Sequence, residues 1–364
     1  MNLKKLAHTL TRKKIHIAPL AVFRMFFGAV MLASVIRFVS KNWVHELYVK
    51  PHFHFDYYGF EWVQAFGATG MYLLFALMGA SAFGIILGWF YRLTSLVFFV
   101  TFTYVELIDP TYYLNHYYFI SLVAFLMMLL PAHRYFSLDV WQKPSLKLEQ
   151  VPAWTINIVR LQLGLVYFHA GAAKLNSDWL FRAMPMKIWL QAHTHWALLG
   201  SLFQKTWVAY AASWFGALYD LSIPFLISIK RTRWLAYSAV VFFHLMTAML
   251  FPIGMFPYIM IGATLIFFPA SFHLVIINKL SAIGNWMGNK FKVKHLAQNK
   301  LAVDNWQLAN NVFQKIANYQ LFIAHLFRRP VSFFKNHSKQ LKAATLILFL
   351  LTQLAMPWRY LLYP

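Results

Sequence analysis

Gly70-Met71-Tyr72-Leu73-Leu74-Phe75-Ala76-Leu77-Met78-Gly79-Ala80-Ser81-Ala82-Phe83-Gly84-Ile85-Ile86-Leu87-Gly88-Trp89-Phe90 is a run of 21 residues without a charge. Wound as a helix, it reaches about 30 Å, the thickness of a bilayer's hydrocarbon core. Eight further apolar runs of similar length lie near 19–39, 92–109, 113–131, 153–174, 207–229, 234–251, 254–277 and 343–362. Shorter apolar stretches near 60–67 and 186–202 read as interfacial helices between spans. The chain is 60% hydrophobic and only 12% charged, against about 25% charged in soluble domains. These patterns predict an all-α, polytopic membrane bundle of about nine helices.

The net charge of +23 would by itself suggest a nucleic-acid partner. Its distribution argues otherwise. Lys4, Lys5, Arg12, Lys13 and Lys14 precede the first run, Arg92 separates the second and third, and Lys230-Arg231-Thr232-Arg233 separates the sixth and seventh. The stretch 272–342 holds eleven Lys and Arg against one acid, Asp304. With nine alternating helices all of these fall on one face, and five of the ten acids fall in loops on the other (Glu46, Asp56, Glu61, Asp109 and Asp178). By the positive-inside rule the N-terminus is inside and the C-terminus outside. The basic stretch reads as an amphipathic helical pair on anionic lipid or as a solvated loop. Trp286, Phe291, Trp306 and Phe313 among its lysines favour the membrane surface, so its expected partner is lipid and not nucleic acid. The expected domains are a membrane domain at 1–271, the basic segment at 272–342 and a last helix at 343–364.

The chain has no cysteine, which removes disulfides, a thiolate nucleophile and Cys-ligated metal centres. Polar residues within apolar runs are costly and mark function. Four places stand out: Asp109 to His116, with Asn115 and His116; Tyr167 to Trp179, with Lys174; Asp220; and His244-Leu245-Met246 followed by Phe251-Pro252-Ile253-Gly254-Met255-Phe256. In the derived topology Asn115, His116, Lys174 and His244 share the outer half of the membrane. Gly164, Tyr167, Gly171 and Lys174 are spaced three, four and three, one helical face. Two readings follow. The glycines leave room for a flat ring to reach Lys174, or they let helices pack while Lys174 snorkels to the interface. His52/His54 and His193/His195 could each hold Zn or Cu, although interfacial, unliganded histidines are the simpler reading. Arg24 and Arg160 are expected to pair with carbonyls or lipid phosphate.

Asn115-His116 before Tyr117-Tyr118, the stretch around Gly171-Ala172-Ala173-Lys174-Leu175, and Phe243-His244 with the Phe251–Phe256 turn resemble the membrane domain of vitamin K-dependent gamma-carboxylase. Bacterial relatives of that enzyme carry the horizontally transferred transmembrane domain. The resemblance runs from about residue 15 to 275. It implies a multi-pass enzyme of a bacterial inner membrane, its active site facing the periplasm. The implied reaction oxygenates reduced vitamin K or menaquinol with O2 to the epoxide, without metal or flavin. It also implies Lys174 as the base that deprotonates the quinol, Asn115 and His116 as the pair beside the quinone head, and His116 and His244 as catalytic. Tyr167 and Gly171, on the Lys174 face, and Met246, beside His244, complete the expected quinone contacts.

Glutamate carboxylation with CO2 would need a peptide substrate and a partner or domain that this chain does not show. By the resemblance an outer soluble domain would follow the last helix and is expected to be missing from this chain, and Tyr360 stands where a family histidine is expected. A non-catalytic quinone- or lipid-binding protein is the alternative from another class.

Overall fold

A computed structural model describes residues 13–296 and 344–353, with the side chains of 284–296 left out. The basic N-terminal residues through Arg12, the segment 297–343 with Trp306 and Phe313, and the end of the last run with Tyr360 lie outside the described residues. The chain divides into two compact units, 1–277 and 278–364. The site described below belongs to the first.

The fold is helical almost throughout. The helices are α1 Ala18–Ser40, α2 Ala68–Leu87, α3 Tyr91–Glu106, α4 Asn115–Leu129, α5 Trp154–Ala172, α6 Met184–Gln191, α7 Thr206–Ser228, α8 Arg233–Leu250, α9 Phe256–Ala263, α10 Ala270–Leu296 and α11 Ala344–Gln353. The two strands described, β1 Lys14–His16 and β2 Gln150–Pro152, pair antiparallel with Ile15 opposite Val151. They tie the start of α1 to the start of α5. Within the first unit α1 packs on α2, α2 on α3 and α3 on α4. A second group runs α5 on α7, α7 on α8 and α8 on α9, and α9 returns to α1.

Helices stand where the first seven apolar runs predict them. Of these, α1, α2 and α8 are long and apolar enough to cross a membrane. Both α3 and α4 are shorter, and α5 carries Arg160, Gln162 and His169 inside its length. The eighth run is not the single helix that hydropathy suggests. It is α9, a 3-10 turn at Thr264–Phe267, and then α10, bent by 116°. Pro269 is the cause: it has no N–H to continue the helix, and it holds Phe268 extended at ψ 158°. Counted as one broken span, this pair makes a fourth membrane-capable element. The stretch 60–67 is turns and extended chain between Gly59 and Gly67, not an interfacial helix. The stretch 186–202 does contain helix, in α6 and the turn Gly200–Phe203.

The α2–α3 corner shows how a buried charge can serve structure alone. Helix α2 ends on Gly88 at φ +62°, the left-handed cap that glycine adopts without strain. Arg24 of α1 is completely buried there. It donates to the carbonyls of Ile85 and Ile86 at 2.8 and 2.9 Å, and to that of Phe136 at 2.6 Å. A cation at a helix C-terminus faces the negative end of the helix dipole, where the last carbonyls lack donors. Arg160 of α5 likewise donates to the Ile266 carbonyl at 2.8 and 3.0 Å. Both arginines therefore pair with carbonyls, as expected.

Candidate functional site

Helix α5 ends at Ala172, and Lys174 follows in its last turn, its N–H on the Gly171 carbonyl. Its ammonium does not reach outward. It lies 2.6 Å from Asp220 Oδ2 on α7 and 3.0 Å from the Ala170 carbonyl, with side-chain exposures of 18% for Lys174 and 5% for Asp220. Trp179 covers it, the ammonium 5.1 Å from the ring centroid, a cation–π distance. The indole N–H of Trp179 donates to the Ser213 carbonyl of α7, which fixes that cover. Lys174 is thus held by a carboxylate, a carbonyl and an aromatic face.

Lys174 therefore turns inward to α7 and does not snorkel to the interface. A neutral amine there would leave the carboxylate as an uncompensated buried charge, and breaking such a pair costs about 3–5 kcal/mol. Asp220 stood out in the sequence as an acid inside an apolar run, yet 46 residues separate it from Lys174. One local signal did mark it: Pro224, inside α7, cannot donate to the carbonyl four residues back, which is that of Asp220.

Of the two readings of the glycine face, helix packing holds and room for a ring does not. A Cβ on Gly171 would sit 2.7 Å from Leu221 Cγ and 2.9 Å from the Leu221 backbone nitrogen. Gly171 lets α5 and α7 approach closely, so Leu221 fills the space proposed for a ring. Gly164 faces Pro224 with ordinary contact. The small-residue face packs helices, and that contact carries Lys174 to Asp220.

One turn and more toward the middle of α5, Tyr167 shares the Lys174 face. Its hydroxyl is 3.0 Å from Nε2 of His244 on α8, and both residues are buried. The other ring nitrogen of His244, Nδ1, is buried and has no partner. Around this pair stand the rings of Tyr219, Phe243 and Phe256; Tyr219 and Phe243 stack at 4.1 Å. Tyr219 neighbours Asp220 in sequence and lies 6.0 Å from Tyr167 ring to ring, so the ion pair and the Tyr167–His244 pair line one seam between α5, α7 and α8. Phe256 extends the seam to α4: its ring lies 5.9 Å from His244 and 5.3 Å from His116.

The structure therefore brings together Lys174, Asp220, Tyr167 and His244, with His116 joined through Phe256. Asn115, the first residue of α4, is exposed. Met246 is half-buried and, two residues beyond His244, points about 200° away around α8. A separate cavity lies among α1–α4, lined by Phe38, Tyr48, Phe75, Phe98, Glu106 and Tyr117. None of the seam residues lines it.

One histidine of each His-x-His pair has a partner within the protein. His54 Nδ1 lies 3.2 Å from Asp109, and His193 Nε2 lies 2.9 Å from the Leu250 carbonyl. In the connection between α3 and α4, Asp109 is 5% exposed. Burial pushes its carboxyl up, but bonds from the Thr111 hydroxyl and N–H, from His54 and from the Phe55 N–H outweigh this and hold it below the usual carboxylate range. Asp109 caps the turn Pro110–Tyr112 that leads to Asn115.

The architecture and seam define a helical membrane protein with a buried polar site between α5, α7 and α8. The HTTM domain model matches residues 12–272, and the chain belongs to that family, a membrane domain related to vitamin K-dependent gamma-carboxylase. No solved structure matches the chain.

Proposed function

We propose that this protein is a membrane enzyme that oxygenates a reduced naphthoquinone, vitamin K hydroquinone or menaquinol, with O2 to the 2,3-epoxide and water. The observation that supports this most is the Lys174–Asp220 pair at 2.6 Å, in one seam with Tyr167–His244 and set in a chain of this family. Quinol oxygenation starts by removing a phenolic proton. That step needs a base in a site dry enough to keep the resulting anion reactive, and a fixed positive group beside the anion. The pair supplies both. Lys174 meets the quinol hydroxyl, Nδ1 of His244 is a buried polar atom without a partner among the described residues and is available to a ligand oxygen, and His116 with Phe256 borders the ring on the α4 side.

The distribution of Lys and Arg supports nine spans with the N-terminus inside, which puts Lys174 in the outer half of a bacterial inner membrane with lipid as its surroundings. Lys174 and Asp220 pair with each other and Arg160 with the Ile266 carbonyl, so these polar groups of α5 and α7 are partnered within the protein. The test is epoxide formation, followed by chromatography, from purified protein in detergent with reduced vitamin K and O2. Wild type is expected to form epoxide and Lys174→Ala to lose at least about a hundredfold. Equal background rates for the two would remove the enzymatic reading.

A further inference from the structure

The cavity among α1–α4 contains an acid that the seam does not use. Glu106 is the last residue of α3, between Val105 and Leu107, and the nearest Lys or Arg in sequence are Arg92 and Arg134. At a helix C-terminus the dipole favours a cation, so nothing local supports a carboxylate there. Among the described residues Glu106 enters no ion pair. The cations at the end of α1 and in the turn after it are engaged elsewhere. Lys50 pairs with Glu46 at 2.7 Å, and Arg37 and Lys41 lie on the ring of Trp43. An acid placed within an apolar bundle at such cost marks a binding site.

The surroundings indicate what it binds. Besides Glu106, the polar lining of the cavity is Ser34 and the hydroxyls of Tyr48 and Tyr117; the rest is Phe, Met and Val. Tyr48 is 5% exposed, and neither tyrosine hydroxyl has a hydrogen-bond partner among the described residues. The rings stand close around the space: Phe38 lies 6.5 Å from Tyr117, and Phe102 lies 6.2 Å from it. Aromatic faces attract a cation. The cavity volume is about 20 Å³, and a group the size of water needs about 10–15 Å³.

We propose that this cavity binds a primary ammonium group, carried either by a small free amine or by the head group of phosphatidylethanolamine. Such a group has three N–H donors, which the Glu106 carboxylate and the hydroxyls of Tyr48 and Tyr117 accept. A quaternary ammonium is larger and has no N–H, and Ca2+ or Mg2+ takes about six or more oxygens, more than this lining provides. In the topology proposed above, the end of α3 and the start of α4 lie on the outer side, at the depth of lipid head groups. The inference stands apart from the quinol reading.

The test is thermal unfolding of the full-length protein in nanodiscs of phosphatidylcholine and phosphatidylglycerol. One arm adds ethanolamine hydrochloride to the buffer; the other replaces part of the phosphatidylcholine by phosphatidylethanolamine. Wild type is expected to unfold at higher temperature in at least one arm, the first identifying a free amine and the second a lipid head group. Glu106→Gln should lose the shift and Tyr48→Phe should show a smaller one. Tetramethylammonium chloride and sodium chloride should act at least about tenfold more weakly than ethanolamine, because neither cation has an N–H to donate.

No shift in wild type, or equal shifts in wild type and Glu106→Gln, would overturn the proposal. So would a shift that sodium chloride reproduces at the same ionic strength. If Glu106→Gln does not survive purification, Tyr48→Phe decides: a shift smaller than that of wild type supports the site, and an equal one overturns it.

Discussion

Two buried cations on the same bundle are held in different ways. Arg24 sits at the end of α2 among three carbonyls, with no hydrogen bond to an acid. Lys174 sits at the end of α5 on one carbonyl and one carboxylate. Each completes a helix C-terminus, so helix dipoles do not distinguish them. The partner does. Carbonyls cannot take a proton, so Arg24 can only hold α1, α2 and the chain near Phe136 together. A carboxylate can, so the Lys174 site is able to exchange one anion for another. A buried charge is thus structural or chemical according to whether its partner can titrate.

The comparison breaks most sharply under substitution. Arg24→Leu leaves the carbonyls of Ile86 and Phe136 without that donor at about 1–3 kcal/mol each, while the carbonyl of Ile85 keeps the Gly88 N–H, so unfolding in detergent should occur at much lower temperature, and no second substitution at one position should restore it. Lys174→Met should cost about 3–5 kcal/mol, but adding Asp220→Leu should recover most of that, because an apolar pair replaces an ion pair with little penalty. Full recovery of Arg24→Leu by a single acid-to-neutral change, or no recovery in the Lys174/Asp220 double variant, would erase the distinction.

Within the seam, Gly171→Ala forces Leu221 away and should cost about 1–3 kcal/mol, separating α5 from α7 and lowering epoxide formation as well. If Gly171 instead lined open space for a ring, the variant would melt like wild type. Tyr167→Phe leaves both nitrogens of His244 without a partner and should cost about 1–2 kcal/mol, read by the same thermal unfolding.

The smallest effect is expected away from the seam. The folded state holds the Asp109 carboxyl below its unfolded value, so its stabilisation is present above that value and is lost as pH falls through the lower, folded one. Asp109→Asn should therefore destabilise by about 1 kcal/mol at pH 7, with the difference from wild type closing in acid. A difference that grows in acid would contradict this.

How far the sequence could go follows from the range of its signals. Uncharged runs of about 20 residues locate helices because span length and hydropathy are local properties, and α1, α2 and α8 lie where they predict. The break after Thr264–Phe267 was also local, written in Phe268-Pro269, but a hydropathy average runs over it. Arg24 and Arg160 were read correctly because no acid lies near either in an apolar run. The Lys174–Asp220 pair was not legible: each residue could be flagged, but the α5–α7 contact that joins them spans 46 residues. The glycine spacing showed a smooth face on α5 and could not say whether a ligand or Leu221 would fill it. Asp220 followed four residues later by Pro224 was the overlooked clue, a helix interrupted at an acid.

The claim that the seam between α5, α7 and α8 is the quinone site is tested most directly by photolabelling. Full-length protein in nanodiscs would be irradiated with a photoreactive naphthoquinone and the labelled peptides identified by mass spectrometry. The account predicts label on the peptides carrying Tyr167 to Lys174, Gly216 to Asp220 and Phe243 to Met246, displaced by unlabelled vitamin K. Label confined to the Glu106-lined cavity among α1–α4, with none at Lys174 or Asp220, would contradict it.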